Sequence, residues 1–284
     1  MEDAIRKADV LIEALPYIKQ FHKKNIVIKY GGSILGEERI RGNVLEDIVF
    51  LSFIGIRVIL VHGGGPNISE RMRNKGKKTE FIEGMRVTDK DTLRVVQEEL
   101  DKLNTMIVKE IVELGGKAEG LSGKDNQLIQ VKKKKAKINL GLVGEIVNIN
   151  EEFLLSKLKK DKIIVICPMG LGLDKKIYNV NADEVASWIS ASLHTEKFVL
   201  LTNVRGIMRN PEDSGSFLSS LTAREAKKLI QDMVIQEGMI PKVEACMRAI
   251  NGGVKKAHII NARIPHALLL EIFTDSGIGT EIIK

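Results

Sequence analysis

Short runs of Ile, Val and Leu recur along the chain at 26–28, 58–61, 163–167, 198–201 and 257–260. Runs of this length, rich in β-branched residues and closed by Gly, Pro or Asn, predict strands buried on both faces of a sheet. Between them the apolar positions fall at three- and four-residue intervals. They predict helices over 44–54, 67–75, 89–114, 151–160, 183–194, 223–232, 242–250 and 266–273, with a last strand near 281–283. Strand and helix in alternation imply parallel pairing with right-handed crossovers, hence an α/β chain: a three-layer αβα sandwich around a mainly parallel sheet. In the helix over 89–114, Leu93, Val96, Leu100, Leu103, Ile107 and Ile111 form one stripe, as expected of core packing or a subunit contact. Residues 128–131 and 142–149 alternate as a hairpin does and predict a flap beside the site. Thr222 and Glu225 have capping-box spacing. The pattern restarts near Asp174, so two lobes are expected, 26–174 and 175–284, sharing one sheet.

Residues 1–25 stand outside this scheme. Ile5, Ala8, Leu11, Ile12 and Leu15 share one helical face, and Pro16 is expected to kink or interrupt the helix before Tyr17-Ile18-Lys19 resumes it. The sheet does not need this helix, so its apolar stripe is expected to pack against a neighbouring chain.

With 284 residues the chain can bury a substantial core, and its many aliphatics and few aromatics suit a helix-covered sheet. The net charge of +7 comes from scattered lysines without aromatic stacking partners, which argues against nucleic acid as a ligand. Lys132 to Lys135 with Lys137 reads as a solvated hairpin edge. Such a surface would still draw a small anion to a cleft. Cys167 and Cys246 lie in apolar contexts and read as reduced core thiols. Glu2 and Asp3 open a terminus without a signal-like apolar core, and the longest apolar stretch, 48–61, is too short to span a bilayer and contains Arg57. A soluble cytoplasmic protein is expected, or a plastid stromal one if organelle-encoded, with no membrane partner.

The chemistry concentrates where strands run into glycine. Residues 26–28 lead to Lys29 and then Gly31-Gly32; residues 58–61 lead to His62-Gly63-Gly64-Gly65-Pro66. Two such turns place two sets of free N–H groups on one edge of a parallel sheet, where ligands of α/β folds bind. A lysine inside a buried run is tolerable where an anion pairs with it, so Lys29 suggests a seat for a polyanion. By itself it is equally a strand-edge lysine whose ammonium reaches water. His62 reads as a structural strand-end residue rather than a base. No P-loop, Gly-x-Gly-x-x-Gly turn, protein-kinase catalytic loop, Gly-x-Ser-x-Gly elbow or His/Cys/Glu cluster at metal spacing is present.

Further polar segments stand at strand ends: Gly84-Met85-Arg86-Val87-Thr88-Asp89, Gly120-Leu121-Ser122-Gly123-Lys124-Asp125, Tyr178-Asn179-Val180-Asn181-Ala182-Asp183 and Gly238-Met239-Ile240-Pro241-Lys242. Together with the glycine turns, these ordered motifs resemble the amino acid kinase family. Within it they are most similar to the branch that phosphorylates the γ-carboxylate of N-acetyl-L-glutamate, the second step of arginine synthesis. The resemblance runs over residues 14–280 and implies ATP as phosphoryl donor, with Mg²⁺ carried on its phosphates. It implies that Lys29 and Lys242 flank the transferring group, that Asp183 holds the two ammonium groups, and that Gly31, Gly32 and Gly64 hold phosphoryl oxygens. Gly64, Gly65, Arg86 and Asn179 would bind the amino-acid substrate in the first lobe, and the second lobe would bind ATP. Taken singly, each of these residues has a dull reading: a surface charge, a turn former or a helix-terminal acid. The chemistry itself is consistent, because a carboxylate with a pKa of about 4.3 is already ionised at neutral pH and needs no base.

Two segments depart from the family pattern: Asn203 and Asn261-Ala262 stand where Asp and Asp-Gly are usual. The amino-terminal helix resembles that of arginine-inhibited hexamers, trimers of dimers, in which Tyr17, His258, Glu271 and Gly277 would hold the inhibitor; some such members bind the PII signalling protein. Kinases for aminoadipate derivatives, aspartate or UMP, and a catalytically silent arginine or nucleotide sensor, are the competing readings.

Overall fold

The computed structural model describes residues 1–82, 84–210, 212–236, 238–274 and 277–284, apart from the side chains of Asp3, Ala4, Lys7 and Ser214. The amino-terminal pattern forms two helices, α1 (Glu2–Glu13) and α2 (Leu15–Phe21), so the helix is interrupted ahead of Pro16 rather than merely kinked. Pro16 sits in the first turn of α2, where its missing N–H breaks no intrahelical bond.

Strand β1 (Asn25–Tyr30) leads through the four-residue helix α3 (Gly32–Leu35) into α4 (Glu38–Phe53), β2 (Arg57–His62) and α5 (Gly65–Asn74). A small hairpin, β3 (Phe81–Ile82) with β4 (Met85–Arg86), precedes the long helix α6 (Lys90–Glu113), whose first turn is capped by the Asp89 carboxylate. Next come β5 (Ala118–Ser122), the expected hairpin of β6 (Ile129–Lys133) and β7 (Gly144–Ile149), α7 (Glu151–Leu158), β8 (Ile163–Cys167), β9 (Met169–Gly172) and β10 (Ile177–Asn179). The remainder runs α8 (Ala182–Ser192), β11 (Lys197–Thr202), β12 (Ile207–Met208), β13 (Phe217–Leu218), β14 (Ser220–Thr222) and α9 (Ala223–Gln231). It ends with α10 (Ile240–Asn251), β15 (Lys256–Asn261), α11 (Ala267–Ile272) and β16 (Thr280–Ile283). Thr222 and Glu225 form the expected capping box at the start of α9.

One eight-stranded sheet spans the molecule in the order β14-β16-β15-β11-β1-β2-β8-β5. Every neighbouring pair in it is parallel except β15 with β16. Successive strand residues point to opposite faces, and two cores follow from that alternation. Val27, Ile59, Val61, Ile164, Phe198 and Leu200 pack with α7 to α10. Ile26, Ile28, Leu60, Val165, Val199 and Leu201 pack with α4, α6 and α11. These are the three layers. Lys29 shares the parity of Val27, which turns it toward α8 and α10.

The direction in which strands are added to the sheet reverses at β1, whose parallel neighbours are β2 on one side and β11 on the other. The first glycine turn therefore opens at the point where crossovers diverge and α/β sheets leave a crevice. A second sheet, β10-β9-β6-β7, lies beside that edge. The sequence pattern did not predict β5, β9, β10 or β14. All four carry Gly, Asn or Ser, and three of them are four residues long or shorter, too short to show a period. Both cysteines are buried thiols, and among the described residues no helix is long and apolar enough to cross a membrane.

Candidate active site

Three side chains from distant parts of the chain meet at the carboxyl edge of β1. Lys29 Nζ stands 2.8 Å from Asp183 Oδ1, and Lys242 Nζ stands 3.7 Å from Asp183 Oδ2. The local structure fixes each of them. Asn181 caps α8 by accepting the N–H groups of Asp183 and Glu184, which sets Asp183 in the first turn, where the helix dipole favours an anion. Pro241 stands in the first turn of α10, and Lys242 follows at its amino-terminal end. Lys29 and Asp183 are 8% and 6% exposed, so their charges are desolvated. Burial, the largest influence on Asp183, pushes its carboxyl upward. The charges and hydrogen bonds of Lys29 and Lys242 together outweigh it and hold the group below the usual aspartate value. Two ammonium groups on one carboxylate leave a net positive charge.

The glycine turns stand against this cluster. A Cβ on Gly32 would lie 3.0 Å from the backbone nitrogens of both Gly64 and Gly65, and one on Gly63 would lie 3.2 Å from the nitrogen of Gly32. A Cβ on Gly31 would come within 3.8 Å of Lys29 Nζ. The nitrogens of Gly32, Gly64 and Gly65 thus crowd one spot, and no carbonyl among the described residues accepts their hydrogens. Converging N–H groups of this kind form an anion-binding nest. Only glycine permits such close approach of the two turns.

Beside the nest lies a cavity of about 160 Å³, lined among others by Gly64, Gly65, Arg86, Asn179 and Asn181. Arg86 is 6% exposed. Its Nη2 donates to the Gly65 carbonyl at 2.9 Å and to Ser69 Oγ at 2.8 Å, and its guanidinium lies 4.5 Å from the centre of the Phe81 ring. Nη1 is buried without a hydrogen-bond partner among the described residues. Burial lowers the Arg86 pKa from its ordinary value, the expected sign for a cation lacking an anion. Asn179 is turned by its Nδ2 donating to Thr88 Oγ1 at 3.2 Å. A wider cavity of about 670 Å³, between the β3–β4 hairpin and the starts of α8 and α10, shares Phe81, Gly84, Met85 and Asn181 with the first.

All seven residues expected at the reaction centre and in the substrate pocket, Lys29, Gly64, Gly65, Arg86, Asn179, Asp183 and Lys242, are gathered here with Gly31 and Gly32. Asn203 follows the end of β11, exposed to solvent, and Asn261 ends β15. The lysine run lies, as expected, largely on a solvated hairpin edge: Lys132, Lys133, Lys135 and Lys137 are exposed, and Lys132 pairs across the hairpin with Glu145 at 3.1 Å. Lys134 departs from that, folding back onto Glu184 at 3.3 Å, beside Asp183. Two more participants were overlooked in the sequence. Asn104 binds His62, and Thr88 holds Asn179. A polar Asn104 within the apolar stripe of α6 was the available signal.

The four residues expected to hold arginine lie on α2 and around β15, α11 and the turn before β16. His258 Nδ1 stands 2.5 Å from Glu271 Oε1, and the N–H groups of Ile278 and Gly279 donate to Glu271 Oε2 at 2.8 and 3.1 Å. Gly277 has φ +60, and a Cβ there would stand 2.8 Å from Glu271 Oε1. Tyr17 packs edge-on against Phe273, ring centres 6.1 Å apart. Among the described residues no group of three or more His, Cys, Asp or Glu side chains could hold a metal ion.

Known proteins resemble this chain over nearly its whole length. Residues 24–261 match the model of the amino acid kinase family. The acetylglutamate kinase of Petrotoga mobilis is 48% identical over 99% of this chain and 95% of its own. That of Methanothrix thermoacetophila is 46% identical over 98% and 99%. Among solved structures, N-acetylglutamate synthase from Neisseria gonorrhoeae, complexed with coenzyme A and N-acetyl-glutamate, superposes with a TM-score of 0.88 at 25% identity. The match covers 98% of this chain but 63% of that longer one, less than two thirds. Giardia carbamate kinase shares the fold, with a TM-score of 0.67 at 17% identity over 92% of this chain and 99% of its own. The chain belongs to the amino acid kinase family, and its sequence relatives there are acetylglutamate kinases.

Proposed function

We propose that the protein transfers the γ-phosphoryl group of ATP to the γ-carboxylate of N-acetyl-L-glutamate, giving N-acetyl-L-glutamyl 5-phosphate and ADP. The observation that carries this reading is the convergence of Lys29 and Lys242 on Asp183 beside the unspent N–H groups of the glycine nest. A carboxylate oxygen attacks phosphorus as the bond to the ADP oxygen breaks, and no proton has to move. The obstacle is bringing two anions together, so positioning and neutralisation of charge supply the catalysis. The two ammonium groups neutralise the equatorial oxygens, the nest N–H groups hold them, and Asp183 keeps both lysines in place rather than acting as a base.

Arg86 Nη1 supplies the free arm of a planar fork for a substrate carboxylate, with Asn179 across the cavity. The first lobe then holds the amino acid and the second the nucleotide. The carboxylate within the cluster, Asp183, has both oxygens against ammonium groups, so Mg²⁺ fits this site as a passenger on the nucleotide's phosphates. ADP release measured with N-acetyl-L-glutamate, an aminoadipate derivative, aspartate and UMP in parallel tests the assignment. Preference for any of the last three overturns it, and no turnover with any of them would leave a binding protein.

Regulation belongs to the same reading. The exposed apolar side chains of α1, Ile5, Leu11 and Ile12 at 54, 69 and 67%, suit contact with a second copy and a hexameric assembly. Feedback inhibition by arginine would have its guanidinium compete with His258 for Glu271. Light scattering with and without α1, and ADP release titrated with arginine to millimolar, test both ideas; a dimer or a flat response removes the corresponding one.

A further inference from the structure

His62 ends β2 beside the reacting groups, is fully buried, and takes no part in the transfer described above. Its neighbours fix which ring nitrogen carries the hydrogen. Asn104 Nδ2 lies 3.0 Å from the Val165 carbonyl and 3.2 Å from His62 Nε2. A carbonyl only accepts, so the amide nitrogen must face Val165. Its second hydrogen then points to Nε2, which accepts it. The ring hydrogen is left on Nδ1, which donates to the Gly63 carbonyl at 3.2 Å. Complete burial favours the neutral ring that this arrangement requires.

The Gly63 carbonyl belongs to the same planar peptide as the Gly64 N–H, and in a trans peptide the two point in opposite directions. Holding the oxygen therefore aims the hydrogen, and the Gly64 nitrogen is one of the three crowding the nest. Glycine on both sides of that peptide gives it freedom to rotate, so an external anchor is needed. We infer that Asn104 and His62 form a relay from α6 and β8 that locks the Gly63–Gly64 peptide with its N–H directed at the transferring phosphoryl group. Both are positioning residues. The inference rests on the phosphoryl-transfer reading of this site and adds to it the device that preorganises the nest.

The experiment compares His62→Asn with His62→Leu. An asparagine Nδ2 stands near the place of the ring Nδ1 and preserves the donor to Gly63, whereas leucine fills the space without one. Loss of a preorganised donor costs about 10² to 10³ in kcat, so His62→Leu is expected to lose roughly 10²-fold in kcat with KM for both substrates nearly unchanged. His62→Asn is expected to stay within about tenfold of the parent, and Asn104→Ala, which frees the ring to turn, to fall between them. Equal kcat for His62→Asn and His62→Leu, or a loss that appears in KM alone, overturns the relay. Should His62→Leu fail to fold, ¹⁵N NMR of the unmodified protein decides. A ring protonated on Nδ1 supports the relay, and one protonated on Nε2 overturns it. That spectrum needs no substrate, so absent turnover with N-acetyl-L-glutamate would defeat the proposed reaction while the tautomer still judged the relay.

Discussion

Two buried ionic clusters stand near opposite ends of the central strands, and they differ in what they leave over. Around Glu271 the charges balance. Its carboxylate is met by His258 and by two backbone N–H groups, and the nearby Lys197 ammonium, which donates to the Glu271 backbone carbonyl at 3.4 Å, offsets its charge. Burial, the largest influence on His258, pushes the imidazole below its usual pKa and favours the neutral ring. Around Asp183 the charges do not balance. Two lysines share one carboxylate, Arg86 adds another buried cation, and three backbone N–H groups have no carbonyl acceptor among the described residues. Desolvated cations without anions are costly, so a fold retains them where an anion arrives from outside. The surplus, rather than the burial, distinguishes a site in waiting from one already complete.

Removing a cation from the unbalanced cluster is the severest test of that distinction. Lys29→Ala and Lys242→Ala should each lower kcat by about 10³-fold, the effect of losing a charge aimed at the transition state, with KM changing much less. Steady-state ADP release checks this, and unchanged turnover in either variant would erase the difference between the clusters. Glu271→Ala should act on stability instead. It leaves Lys197 buried beside two unpaired N–H groups, at a cost of about 3 kcal/mol in urea unfolding, while kcat of the folded enzyme holds. A fall in kcat without loss of stability would make the balanced cluster part of the reaction.

Acid provides a finer probe. Burial depresses the His62 pKa from 6.5 to about 4, so between these values the unfolded chain binds a proton that the folded chain refuses. Stability then falls as pH drops through that window, by up to about 3 kcal/mol at pH 4, and His62→Asn should flatten this slope. Asp183 acts in the same sense but in a more acid window. Its carboxyl is held below the usual value, so its contribution is present above the ordinary aspartate pKa and is lost only as pH falls below it. The smallest expected change is at the pocket wall. Arg86→Lys keeps the charge but loses the fork and its stacking on Phe81, and should raise KM for the amino acid about tenfold with kcat little altered.

The apolar runs at 58–61 and 163–167 and the helix stripe of α6 were legible because burial on one face imposes a period that a dozen residues display. The strands that escaped notice, such as β9 and β10, are held by their neighbours rather than by their own composition. Arg86, Asn179 and Asp183 were identified only through resemblance. Their residue types suit turns and surfaces as well as sites, and nothing local separates the two. Asn104 went unread because a single polar residue in an apolar stripe does not reveal its partner.

The sequence by itself determined the alternation of strands and helices, the two glycine turns, the cap that starts α9, and the strand parity that turns Lys29 to one face. These are local properties, set by backbone sterics and by side-chain spacing over a few residues. The tertiary structure decided that β1 lies between β2 and β11, that α8 and α10 bring Asp183 and Lys242 to the same lysine, and that Asn104 reaches His62. It alone showed which buried charges were answered. That depends on distances between residues far apart in the chain, fixed only when packing brings their elements together.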